Sequence, residues 1–226
     1  MKRWLLALAL LSSCSGMSND TATDTATDTA TSAEPTPATR RYLALGDSYT
    51  IGESVAESER FPVQLARELG LSEPAIIAKT GWTTDELGQA LDAVRLAGPF
   101  DLVTLLIGVN NQYRGRDAEQ YRGEFAELLQ RAIGFADGDA KKVVVVSIPD
   151  WGVTPFAEGR DRAKIAAEID RYNAVNREEA ARAGARYVDI TPISRSGDPA
   201  LVAGDGLHPS GKQYAEWVKL ILREIR

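Results

Sequence analysis

Five short apolar runs alternate with longer stretches whose apolar residues recur at helical spacing, and few folds accommodate that alternation. Arg41–Gly46, Ala75–Ala78, Leu102–Ile107, Lys142–Ile148 and Tyr187–Ile190 read as strands. Leu102–Ile107 is almost wholly apolar and Lys142–Ile148 carries four valines, the composition of parallel strands covered on both faces. Phe61–Leu69 reads as a short helix, with Pro62 tolerated in its first turn. Thr83–Ala97 reads as a helix opened by the capping-box pair Thr83 and Glu86 and striped by Leu87, Leu91 and Val94. A helix from near Asp117 lines up Tyr121, Phe125, Leu128, Leu129 and Ala132, and the next carries Ile165, Ile169, Tyr172 and Ala180. The last has the stripe Tyr214, Trp217, Val218, Ile221, Leu222 and Ile225. This order specifies an α/β fold, a three-layer α/β/α sandwich around a five-stranded parallel sheet. Right-handed crossovers then place the carboxyl ends of the strands on one rim, where open α/β sheets bind ligands.

Three segments with chemical potential follow strands and converge on that rim: Gly46-Asp47-Ser48-Tyr49-Thr50, Gly81, and Gly108-Val109-Asn110. The only histidine, His208, lies near the far end in Asp205-Gly206-Leu207-His208-Pro209. A serine nucleophile needs a base to take its proton and a carboxylate to orient that base. Taken singly, Ser48 is an ordinary turn residue, His208 a loop histidine and Asp205 part of an Asp-Gly turn. Taken together they offer acyl-transfer chemistry, with the Gly81 backbone and the Asn110 amide as donors for an oxyanion. A single histidine makes a zinc site improbable. Gly108 and Gly115 do not compose a phosphate-binding fingerprint, and Thr50 stands where the nucleophile elbow G-x-S-x-G has its second glycine. The net charge of −6 leaves no basic footprint for nucleic acid.

The N-terminus reads separately. Lys2-Arg3 precedes an apolar run from Trp4 to Leu11, too short to span a bilayer and typical of a secretory signal. Leu11-Ser12-Ser13-Cys14 resembles the bacterial lipobox, and Cys14 is the sole cysteine. Residues 1–13 are therefore expected to be a lipoprotein signal peptide, with Cys14 lipidated and the chain exported and anchored to a membrane rather than spanning it. Ser15 after the cysteine points, by resemblance to Gram-negative lipoproteins, to a periplasm-facing or outer-membrane location. Residues 14–39 repeat Thr-Ala-Thr-Asp and hold almost no large apolar side chain, so they read as a disordered tether. The folded domain is expected over residues 40–226.

The four blocks Gly46-Asp47-Ser48, Gly81, Gly108-Val109-Asn110 and Asp205-Gly206-Leu207-His208-Pro209 resemble, in order and context, those of the SGNH (GDSL) hydrolase family across about Arg41 to Arg226. The resemblance implies the family's flavodoxin-like fold, hydrolysis of carboxylic esters and thioesters, and no metal or organic cofactor. It further implies Ser48 as nucleophile and backbone oxyanion donor, Gly81 as a second backbone donor, Asn110 as a side-chain donor, and Asp205 with His208 as orienter and base. Tyr49 stands where the family name has leucine, and Asn111 where many members have aspartate; both border the site.

Tyr113, Trp151 and Phe156 are expected to wall an acyl or alcohol pocket beside Tyr49, since ligand pockets are mostly apolar with few polar groups; the alternative is that these loops simply pack on the core. The function expected is a lipid-anchored serine esterase acting on lysophospholipid or short-chain acyl esters. Removal of O-acetyl groups from envelope or external glycans is the alternative for the same machinery. A surface lipoprotein using the rim only to bind a ligand is the non-enzyme alternative, and it makes Ser48 and His208 dispensable.

Overall fold

The computed structural model describes residues 40–226, and the expectations for the signal peptide, the tether and Cys14 lie outside them. Five strands form one parallel sheet in the order β2-β1-β3-β4-β5: β1 Tyr42–Gly46, β2 Ala75–Ala78, β3 Leu102–Leu106, β4 Val143–Val146 and β5 Arg186–Val188. β1, β3 and β4 are buried along their whole lengths, as their unbroken apolar composition requires. The helices are α1 Ser48–Ile51, α2 Phe61–Leu69, α3 Thr84–Ala93, α4 Val109–Tyr113, α5 Ala118–Phe135, α6 Arg162–Ala183, α7 Thr191–Ser194 and α8 Gly211–Ile225. Strand order and right-handed crossovers put α3, α5 and α6 on one face and α2 with α8 on the other, and the packing of α5 on α6 and of α2 on α8 agrees.

The stripes read from the sequence are core: Leu87, Leu91, Tyr121, Phe125, Leu128, Ile165, Ile169, Tyr214, Trp217 and Ile221 are all buried. One helix is shorter than its pattern suggested. The capping box of Thr83 and Glu86 forms, but α3 ends at Ala93, and Val94 is an exposed, extended C-cap. Asn110, read as following a strand in a turn, sits within α4, whose five residues are too few for periodicity to reveal.

Register brings the functional segments together. Gly46 pairs with Ala78 on one side and Leu106 on the other. Ser48, Gly81 and Asn110 therefore leave neighbouring strand ends within a few residues of a common level. The chain moves outward in opposite directions from β1, to β2 and later to β3, which makes this crevice the topological switch point of the sheet. Gly46 is required for close approach: a methyl group there would overlap the Leu106 carbonyl oxygen and the Thr50 hydroxyl. At Gly108, with φ of 123°, a methyl would come within 2.5 Å of the buried Tyr121 hydroxyl.

Candidate active site

Ser48 is the first residue of α1 and is 5% exposed. The Asp47 side chain caps this helix by accepting from the Tyr49 N–H at 3.0 Å, which leaves the Ser48 N–H without a partner among the described residues. Asp47 itself is fully buried, and its other oxygen has no hydrogen-bond partner among the described residues. Burial pushes its carboxyl up to about 7, against the smaller opposing effect of the Tyr49 N–H. The raised value means that the protonated form fits the fold better than the charged one. That contribution is complete below about pH 4 and is lost as pH rises through 7. Asp47→Asn, which keeps the cap without the charge, should raise thermal stability at pH 8, by roughly 2–4 kcal/mol, and change it little at pH 4. Melting curves at the two pH values check this.

His208 and Asp205 come from the loop between α7 and α8. The His208 Nδ1 lies 2.5 Å from Asp205 Oδ2, and Asp205 Oδ1 accepts from the backbone N–H groups of Leu207 and His208, both at 3.0 Å. Burial pushes the Asp205 carboxyl up, but the bonds from the His208 ring, the Leu207 N–H, the Ser54 hydroxyl and the His208 N–H outweigh it, and they hold the carboxyl far below the usual carboxylate range. The Tyr49 ring meets the His208 imidazole edge-on, with centroids 5.7 Å apart.

The oxyanion candidates are also in place. Gly81 has φ of 86°, a conformation that glycine adopts without strain. Its carbonyl accepts from Arg114 at 2.7 Å, and its N–H has no partner among the described residues. Asn110 Nδ2 donates to the Trp82 carbonyl at 2.9 Å, which fixes the amide plane and leaves its second N–H free to serve a ligand. Asn111 is fully buried; its amide oxygen accepts from the Thr84 N–H at 3.1 Å and its amide nitrogen donates to the Thr84 hydroxyl at 2.6 Å, tying α4 to the start of α3.

Ser48, Tyr49, Gly81, Asn110 and His208 line one cavity of about 180 Å³, whose remaining wall includes Tyr113, Trp151, Phe156 and Leu207. Every residue expected at the site or in its pocket, Asp205 and Asn111 apart, thus borders the same space; Asp205 reaches it through His208, and Asn111, expected to border the site, is instead buried behind it against Thr84. The pocket residues differ in kind. Trp151 is 4% exposed, its indole N–H donating to Gln112 at 2.8 Å, and Tyr49 is packed against Trp217, so both are core residues as well as wall. Tyr113 and Phe156 are exposed. The Arg160 guanidinium lies 5.2–5.3 Å from the centres of all three rings, Tyr113, Trp151 and Phe156, and holds them as a group. Neither Arg160 nor Ser54, which donates to Asp205 at 2.7 Å, stood out in the sequence.

The profile of the GDSL-like lipase/acylhydrolase family matches residues 44–216, which include all of these segments. This chain belongs to that family. Family membership makes it an ester hydrolase, and solved structures similar to it share the fold. A phospholipase A1 from Streptomyces albidoflavus is 19% identical, with a TM-score of 0.65 covering 83% of this chain and 100% of that one. An extracellular lipase from Streptomyces rimosus is 20% identical, with a TM-score of 0.62 covering 82% and 99%. An acetylxylan esterase from Geobacillus stearothermophilus is 20% identical, with a TM-score of 0.62 covering 82% and 94%. No curated protein sequence matches the chain.

Proposed function

We propose that this family member is a serine esterase that hydrolyses short-chain carboxylic esters through an acyl-enzyme on Ser48. The observation that carries the reading is the Asp205–His208 pair at 2.5 Å, with its imidazole bordering the same cavity as Ser48 and the candidate oxyanion donors. The Ser48 hydroxyl attacks the ester carbonyl carbon while the free ring nitrogen of His208 takes its proton, and Asp205 holds the imidazole's Nδ1–H. The negative oxygen that develops is met by the N–H groups of Ser48, Gly81 and Asn110. His208 then gives its proton to the departing alcohol, leaving the acyl group on Ser48. Water adds to that ester by the same route, its proton passing to His208 and then to Ser48 as the acid is released.

The cavity volume supports a small acyl group: about 180 Å³ is little more than the roughly 150 Å³ that accommodates benzene, and below the range of pockets for larger ligands. The same small volume favours a second reading, removal of O-acetyl groups from a glycan. The leader-like N-terminus and Cys14 support export and attachment to a membrane surface through lipid, where lysophospholipids are also at hand.

A fluorophosphonate probe should label the wild type at Ser48 and leave Ser48→Ala unlabelled. The wild type should hydrolyse p-nitrophenyl acetate and butyrate faster than the long-chain esters. Equal labelling of both proteins removes the nucleophile, and a preference for long chains removes the short-acyl assignment.

A further inference from the structure

The Asp205–His208 pair is local and self-contained: three residues apart, its internal bonds do not determine where it stands relative to Ser48. Asp205 Oδ1 is committed to the N–H groups of its own loop, and Oδ2 faces the imidazole. The one hydrogen bond to this carboxylate from another segment, among the described residues, is donated by the Ser54 hydroxyl at 2.7 Å, on the same Oδ2 that His208 uses.

Ser54 belongs to Ser48's own segment. Gly52 closes α1 with φ of 70°, and both its N–H and the Glu53 N–H bond back to the Ser48 carbonyl. Ser54 then takes φ of 65°, one of only two non-glycine residues with positive φ among those described. A serine held there is strained relative to glycine, and such strain persists where a side chain is needed in a particular place. Its neighbour Glu53 accepts from the Thr80 hydroxyl, next to Gly81. Two consecutive residues just beyond the nucleophile's helix thus reach two other arms of the site, the Asp205 loop and the Gly81 segment.

We propose that Ser54 is a positioning residue, whose hydroxyl sets the Asp205–His208 pair in register with Ser48. This rests on the esterase reading above, with Ser48 as nucleophile and His208 as base. The Ser54 bond also contributes to holding Asp205 ionised, the state in which it orients the imidazole.

Substitutions at position 54 separate positioning from mere folding, because the backbone and the hydroxyl make opposite demands. Ser54→Gly relieves the positive φ and removes the donor. Ser54→Asn tolerates the conformation and supplies an amide donor. Ser54→Ala keeps the strain and has no donor. With p-nitrophenyl acetate, Ser54→Gly and Ser54→Ala should lose roughly tenfold in kcat, as the loss of a hydrogen bond to a charged group suggests, with KM little changed. Ser54→Asn should recover most of that loss. The melting temperature should follow a different order, with Ser54→Gly at or above the wild type and Ser54→Ala below it. Wild-type kcat in Ser54→Gly, or a loss in Ser54→Asn as deep as in Ser54→Gly, overturns the proposal while wild-type fluorophosphonate labelling leaves the esterase reading standing. A wild type that neither labels nor hydrolyses esters overturns both.

Discussion

Ser48→Ala and His208→Ala are each expected to lower kcat for p-nitrophenyl acetate by roughly 10⁴- to 10⁶-fold, and the double variant to lose little more than either alone. The reason is that nucleophile and base perform one act. A hydroxyl without a proton acceptor is a weak nucleophile, and an imidazole without the hydroxyl has no proton to take. His208 is the only histidine of the chain, so no second imidazole can substitute for it. The residual rate should come from binding and from the backbone N–H groups of Ser48 and Gly81 and the Asn110 amide, all of which survive both changes. Both residues border one cavity, and both are at most 8% exposed. Truncating them enlarges a solvent-reachable space, so the melting temperature should move far less than the rate. Losses that multiply in the double variant would mean two independent contributions and would remove the proposed proton transfer.

The parts of this fold that sequence made legible are those where one physical signal dominates. Buried parallel strands need apolar side chains on both faces, and the four valines of β4 state that directly. Amphipathic helices declare their buried side over several turns, as α5 and α8 do. The short helices were not legible: α1, α4 and α7 span one turn or little more, too short for periodicity to show, and the Ile190 cap of α7 reads as the end of a strand. The catalytic candidates could be picked out because the lone histidine marks its own loop, and the serine, glycine and asparagine candidates each follow a strand. Ser54 and Arg160 could not, because their roles depend on partners that the local sequence does not mark. Ser54 meets a carboxylate 151 residues away, and Arg160 joins a ring at the end of α4 to two rings of its own loop. An exposed serine after Gly52-Glu53 carries no local mark of its partner. The double nature of Trp151 was equally hidden, because one indole both packs on Gln112 and walls the cavity.

Asn110→Ala is expected to cost about 100- to 1000-fold in kcat, the usual consequence of removing one oxyanion donor. The argument turns on how the amide is held. With one N–H bonded to the Trp82 carbonyl at 2.9 Å, the side chain cannot rotate freely, and its second N–H requires no reorganisation when charge develops on the substrate. The adjoining Asn111 carries the structural load by joining α4 to α3 through Thr84, so under the proposed mechanism the two asparagines divide support from chemistry. Asn110→Asp sharpens the test, because it keeps the size of the side chain but replaces the donor with an acceptor that repels an oxyanion. It should therefore fall at least as far as Asn110→Ala, although a purely steric role for the side chain predicts near-normal turnover. Because the donor acts on charge that appears only during reaction, KM should stay within a few-fold of the wild type in both variants. Steady-state kinetics with p-nitrophenyl acetate, alongside melting curves showing that the variants remain folded, decide the matter. A rise in KM at constant kcat would assign Asn110 to ground-state binding instead.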